Sequence, residues 1–180
     1  MKATGIVRRI DDLGRIVIPK EIRRTMRIRE GEPLEIFTDS GGEVIFKKYS
    51  PIGELSNFAS GYADTLYRTT GQDVAICDRD SIVAVAGAPK KELFEKRISS
   101  DLEKLMDQRQ SYSWKKGERP TFITEENDKY KIFVMSPILF DGDVIGAVAF
   151  LTSLESQDAG EVEVKLAGAT ASFLAKHMES

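Results

Sequence analysis

Apolar positions recur along this chain with two different periods, and the points where the period changes divide it into segments. From Gly5 to Ile10 and from Leu13 to Ile18 the residues are rich in Val and Ile, and Asp11-Asp12 with Gly14 lies between them, which predicts two short strands joined by a turn. Pro19 ends the second run and suits the first turn of a helix, where a missing N–H does no harm. Ile22 and Met26, four residues apart, give that short helix an apolar seam. A turn at Glu30-Gly31-Glu32-Pro33, a strand Leu34–Thr38, a second turn at Asp39-Ser40-Gly41-Gly42 and a strand Val44–Lys48 predict a hairpin that completes a small head.

Ser50-Pro51 has the form of an N-cap followed by a first helical residue, and it marks a boundary. Leu55, Phe58, Ala59, Tyr62, Ala63 and Leu66 then follow the helical 3-4 spacing as far as a stop near Gly71. Strands Asp73–Cys77 and Ile82–Ala86 are expected around the turn Asp78-Arg79-Asp80-Ser81, and a helical stretch from Lys90 to Gln110 is expected to break at the capping box Ser100-Asp101-Leu102-Glu103. Thr121–Thr124 reads as a strand, and Lys131–Phe140 with Val144–Thr152 as a hairpin around Asp141-Gly142-Asp143. The second arm of that hairpin is almost wholly apolar, so it should be a central strand covered on both faces. A last helix from about Asp158 carries Val162, Leu166, Ala169 and Phe173 at 4-3-4 spacing. This order of elements predicts an antiparallel sheet with helices on its faces, an α+β module. The expected division is 1–50 for the head, 51–55 for a short linker and helix start, and 56–180 for the module.

Charge adds a function to this outline. Residues 1–29 hold nine Lys and Arg against three Asp and Glu, whereas 51–180 hold 15 against 21. A basic head on an acidic body favours a phosphate-rich partner for the head. Lys20, Arg23, Arg24 and Arg27 fall at i, i+3, i+4 and i+7, which stacks four cations on one helical stripe, and Arg8, Arg9 and Arg15 lie in the adjoining strands. Like charges at this spacing repel unless an anion compensates. A head of about 50 residues with few aromatics also buries too little surface to be secure alone, so association of two chains is expected.

Other chemistry is thinly represented. One cysteine, Cys77, rules out an internal disulfide, and one histidine, His177, leaves no Cys/His zinc cluster within a chain. Cys77 in Val74-Ala75-Ile76-Cys77 reads as a buried strand residue rather than a redox sensor, and His177 as a surface or interface residue rather than a base. Asp78-Arg79-Asp80 resembles the start of a calcium loop, but the position of the closing Glu is Pro89. No phosphate-binding Walker loop, His-Glu-x-x-His or Gly-x-Ser-x-Gly is present, and no metal or cofactor is expected. No run approaches the roughly 20 apolar residues of a membrane span, and the start lacks a signal-peptide core, so a cytoplasmic protein is expected.

The run from Thr4 through Arg8-Arg9-Ile10-Asp11-Asp12-Leu13-Gly14-Arg15 to Pro19, followed by Glu21-Ile22-Arg23-Arg24, resembles the AbrB family of bacterial transition-state regulators. The resemblance covers roughly residues 3–50. It implies a dimeric swapped-hairpin barrel in which two chains interleave strands, with DNA contacts at the positions of Arg8, Arg15, Arg23 and Arg24, and with Arg9 at an often basic position. Arg27 departs from the family, where small residues and often glycine are frequent, and Lys20 stands where apolar residues are common; both add charge. The whole arrangement resembles sporulation regulators whose second module is a GAF-like sensor domain, a likeness resting on the order of elements.

The expected function is therefore a DNA-binding transcription regulator, activator or repressor, bound to the nucleoid when on DNA. It would be dimeric through the head and tetrameric through the helices Leu55–Leu66 and Val162–Phe173. Phe122, Phe133, Met135, Ile138 and Phe150 are candidates either for core or for lining a ligand cavity in the GAF-like module. An AbrB-type antitoxin is the alternative, but its toxin-binding tail should be short and weakly hydrophobic, unlike residues 51–180. An enzyme would need paired carboxylates or metal ligands that the module lacks.

Overall fold

The computed structural model describes residues 4–152 and 160–178. The chain divides into two compact units, Met1–Tyr49 and Ser50–Ser180.

In the first unit, helix α1 (Lys20–Met26) precedes an antiparallel hairpin of β1 (Leu34–Thr38) and β2 (Val44–Lys48), in register from Leu34 opposite Lys48 to Thr38 opposite Val44. The turn forms because the Asp39 carboxylate accepts from the backbone N–H groups of Gly41 and Glu43, both at 3.0 Å, while Gly42 takes φ of +83°. The strands expected at Gly5–Ile10 and Leu13–Ile18 are not formed; only their turn is, with reciprocal bonds between Asp11 and Arg15. The physical reason is packing. No described residue of this unit is buried, and Val7 and Val17 remain 85% and 71% exposed, so a two-stranded ribbon here has no face to cover. The α1 seam is likewise half realised, since Met26 is exposed and Pro19 occupies the N-cap instead of the first helical position.

The second unit opens as Ser50-Pro51 predicts. The Ser50 hydroxyl accepts from the Gly53 N–H at 3.0 Å, starting α2 (Pro51–Glu54), and α3 (Ser56–Thr70) follows and ends on Gly71 in the left-handed region. Next come β3 (Asp73–Asp78), β4 (Ile82–Ala86), α4 (Lys90–Leu93), α5 (Ser100–Asp107), β5 (Tyr112–Ser113), β6 (Lys131–Phe140), β7 (Asp143–Thr152) and α6 (Glu161–His177). The five strands form one antiparallel sheet in the order β4-β3-β7-β6-β5, so the apolar β7 is central, as its sequence requires.

The two faces of the sheet carry separate cores. On one, Ala59, Ala63 and Leu66 of α3 and Ala167, Ala171 and Leu174 of α6 cluster with Val74, Ile76, Val148 and Phe150. On the other, Leu93, Leu102 and Met106 of α4 and α5 cluster with Ala75, Met135, Ala147, Ala149 and Leu151. Successive β7 residues alternate between these clusters, which is the period-2 geometry of a strand buried on both sides.

Some expectations need correction. The Thr121–Thr124 strand is reduced to a single bridge between Phe122 and Lys131, and β5 takes the outer place beside β6. The break in Lys90–Gln110 is real, but the cap is Ser99, one residue before the expected Ser100: its hydroxyl accepts from the Leu102 N–H at 3.0 Å and donates to the Phe122 carbonyl at 2.6 Å. Burial selects it, because Ser99 is 5% exposed and there has no water to satisfy it. The expected helix start at Asp158 lies outside the described residues; α6 begins at Glu161 with Gly160 as its N-cap.

Candidate nucleic-acid interface

The cationic side chains of the head are presented by three local devices. The first is the Asp11 turn. The Asp11 carboxylate accepts from the backbone N–H groups of Leu13 and Arg15 at 3.0 and 2.8 Å and from the Arg15 guanidinium at 2.8 Å, and Gly14 supplies φ of +76°. The Arg15 backbone N–H and then its guanidinium hold the Asp11 carboxyl below the usual carboxylate range. Arg15 thus leaves the turn in a fixed direction, with its side chain 69% exposed.

The second device is α1, which carries Lys20, Arg23 and Arg24. Lys20 and Arg24 are exposed and Arg23 is half-buried. The expected four-member stripe is cut short here, because the helix ends at Met26 and Arg27 lies beyond it with φ of +51° and ψ of +41°. Two bonds close the end: Ile28 N–H to the Arg23 carbonyl at 2.8 Å and Arg27 N–H to the Arg24 carbonyl at 3.2 Å. This is a Schellman cap, whose left-handed position favours glycine, and arginine occupies it. Arg27 therefore departs from the helical stripe in direction while remaining beside it in sequence.

The third device is a buttress of half-buried charge behind that cap. The Lys48 ammonium donates to the Arg27 carbonyl at 2.7 Å and lies 3.6 Å from the Glu32 carboxylate, which also accepts from the Arg29 N–H at 2.7 Å and stands 3.7 Å from the Arg29 guanidinium. Sequence reasoning missed Lys48 and Glu32, which are 16 residues apart and meet only once the hairpin forms.

The remaining cations have no such partner. Among the described residues, Arg8, Arg9, Lys20, Arg23 and Arg24 make no ion pair, and the Arg8 guanidinium reaches only the neighbouring Val7 carbonyl at 3.5 Å. Like charges left uncompensated at helical spacing store repulsion that an external anion relieves.

In the second unit, the five apolar candidates do not share one cavity. Phe133, Ile138 and Phe150 belong to the core under α3 and α6, Met135 belongs to the opposite core, and Phe122 is half-buried. Phe133 and Met135, two residues apart, fall on opposite faces because the register of β6 shifts between Ile132 and Val134. Cys77 is buried, and desolvation followed by the nearby Asp78 charge pushes its thiol up to about 12, which leaves it a small core residue. His177 stacks on Phe58 at 4.5 Å between centroids and on Phe173 at 5.9 Å, while Tyr62 stacks on Phe173 at 4.8 Å. This aromatic group joins α3 to α6 and stays partly open, with Phe58 and Phe173 37% and 39% exposed. Its signal in the sequence is the pair of i, i+4 spacings, Phe58 with Tyr62 and Phe173 with His177.

Comparison with known proteins agrees with this division. A family described as "Stage V sporulation protein T C-terminal, transcription factor" matches residues 54–179, and one described as "Antidote-toxin recognition MazE, bacterial antitoxin" matches residues 7–53. Stage V sporulation protein T of Bacillus subtilis is 54% identical over 179 residues, covering 99% of each chain. The transition state regulatory protein AbrB of the same organism is 57% identical over 51 residues, 28% of this chain and 52% of AbrB. Among solved structures, the GAF domain of an Acinetobacter phosphoenolpyruvate-protein phosphotransferase covers 69% of this chain and 82% of its own, with a TM-score of 0.58 at 12% identity, a likeness of fold alone. An AbrB-like head and a GAF-like module, matched almost end to end by one relative, place this chain in the stage V sporulation protein T family of transcription factors.

Proposed function

We propose that this chain is a sequence-selective DNA-binding regulator whose head grips DNA with Arg8, Arg9, Arg15, Lys20, Arg23, Arg24 and Arg27. The observation that carries this reading is that, among the described residues, Arg8, Arg9, Lys20, Arg23 and Arg24 of the head have no carboxylate partner, on a chain whose formal net charge is -3. Phosphate contacts supply affinity and a steep salt dependence, and arginines that reach base edges or a narrowed groove supply selectivity. The exposed β-branched runs around the Asp11 turn are the strands of a two-chain swapped-hairpin barrel: Ile6, Ile10, Leu13 and Ile16 are 41%, 65%, 69% and 44% exposed and gain cover only from a second copy. The GAF-like module joins such dimers into tetramers through α3 and α6, and no catalytic role is assigned to it. The protein works in the cytoplasm, on the nucleoid.

The antitoxin reading is disfavoured by the second unit, whose two buried cores belong to a folded domain rather than a tail that orders on a toxin. Titrating labelled promoter DNA with full-length Arg23→Ala and Arg24→Ala proteins at several salt concentrations tests the assignment. Each variant should bind at least about tenfold more weakly, and the slope of log K against log salt should fall by about one unit for each phosphate no longer neutralised. Wild-type affinity and slope in both variants would remove these residues from the interface.

A further inference from the structure

Arg27 stands at a costly position. Its φ of +51° is the left-handed region, where a residue with a Cβ is less stable than glycine by about 1 kcal/mol. The carbonyl that this geometry turns out of the helix accepts from the Lys48 ammonium at 2.7 Å. Lys48 in turn is held against Glu32, and these two are among the least exposed charges of the head, at 22% and 13% of their side chains. Glu32 is fixed from the other side by the Arg29 N–H at 2.7 Å and by the Glu32 N–H donating to the Arg29 carbonyl at 3.3 Å. The end of β2 is thereby tied to the C-terminus of α1, where a cation also meets the negative end of the helix.

We propose that Lys48 and Glu32 are positioning residues of the DNA interface: they brace the α1 cap so that an arginine, in place of glycine, is presented at position 27. This rests on the reading of the head as a DNA-binding surface. Lys48 has its ammonium on protein atoms, a carbonyl and a carboxylate, and so acts through Arg27 and not on phosphate itself. Its removal frees the 27–28 backbone and lets the Arg27 side chain lose its direction, while Arg8, Arg15, Arg23 and Arg24 keep theirs.

A double-mutant cycle on the full-length protein tests this, with promoter DNA titrated over a range of salt. Lys48→Met alone should weaken binding about three- to tenfold and lower the salt slope by about one, as Arg27→Ala does. In the Arg27→Ala background, Lys48→Met should change neither affinity nor slope further. A second loss of about one unit of slope there would overturn the proposal by making Lys48 a direct phosphate contact, and so would wild-type binding by Lys48→Met alone. Amide hydrogen exchange of the DNA-free protein provides a readout independent of binding. Exchange at Arg27 and Ile28 should quicken in Lys48→Met and in Glu32→Gln, and unchanged protection would remove the brace. A wild-type protein without salt-dependent binding would instead refute the DNA-binding reading, leaving the exchange result to judge the brace.

Discussion

A single residue shows how burial decides chemistry in this molecule. Cys77 could have been a redox centre on the strength of its element alone, but it lies 1% exposed in the core under α4 and α5. Burial comes first in raising its thiol to about 12, and the adjacent Asp78 charge adds to it. At pH 8 the thiolate is therefore a fraction on the order of one in ten thousand, against roughly a quarter for an ordinary exposed cysteine. Cys77 should stay unlabelled by a water-soluble disulfide reagent over the lifetime of the folded state and react at once in denaturant. Labelling of the native protein within minutes would show a reactive, accessible thiol and reopen the sensor reading. Ser99 illustrates the same control by burial. Two adjacent serines offer equal caps to α5, and the one shut away from water takes the role because its hydroxyl must be satisfied from within.

At the scale of elements, close approach sets the tightest constraint. A Cβ at Gly146 would collide with the Cys77 carbonyl of the paired strand β3, so glycine is required there by backbone contact and not by φ. Gly146→Ala should destabilise the second unit by about 2–4 kcal/mol through displacement of the central β3–β7 ladder, read as a lower urea midpoint. An unfolding free energy within about 0.5 kcal/mol of wild type would show that the ladder yields there. Much of this unit was legible in the sequence because its signals are local: the Ser50-Pro51 start, the Gly71 stop, the Asp141-Gly142 turn and the apolar run of β7 each specify their element from within. What was not legible depends on partners distant in sequence. Helix α6 is apolar on two sides: of the spacing Val162, Leu166, Ala169, Phe173, three residues lie on its outer side and Leu166 packs at the edge of the core, while Ala167, Thr170, Ala171 and Leu174 face the sheet. Small residues can pack closely on a sheet as well as larger ones, so periodicity alone does not choose the buried face. In the head, the Asp11-Gly14 turn beside Arg15 and the helix that carries Arg23 and Arg24 are written locally in the sequence, but the contact of Lys48 with the Arg27 carbonyl and the departure of Arg27 from the stripe arise only when the hairpin meets α1.

Across the whole molecule, the outer side of α6 and the aromatic group it shares with α3 bear on assembly. Phe58, Tyr62, Phe173 and His177 already stack within one chain, and part of their ring surface remains exposed, with Val162 further along α6 at 61%. Aromatic rings fixed in place lose little conformational entropy when a second surface covers them, which favours their use at an interface. If α3 and α6 join dimers into tetramers, a charge in this patch should act on assembly alone. Phe58→Lys and Phe173→Lys remove rings that lie outside the buried core, so each folded chain should keep its circular dichroism spectrum. Multi-angle light scattering of the full-length protein should show a fall from tetramer to dimer in either variant. The dimer should also bind a promoter carrying two separated sites more weakly, by about a hundredfold, the lower end of what linked binding confers, while affinity for a single site stays as in wild type. A variant that remains tetrameric would move the assembly surface elsewhere on the module. A variant that becomes dimeric yet binds paired sites as before would show that the head alone sets occupancy, and that the acidic half is not needed to bring basic heads together.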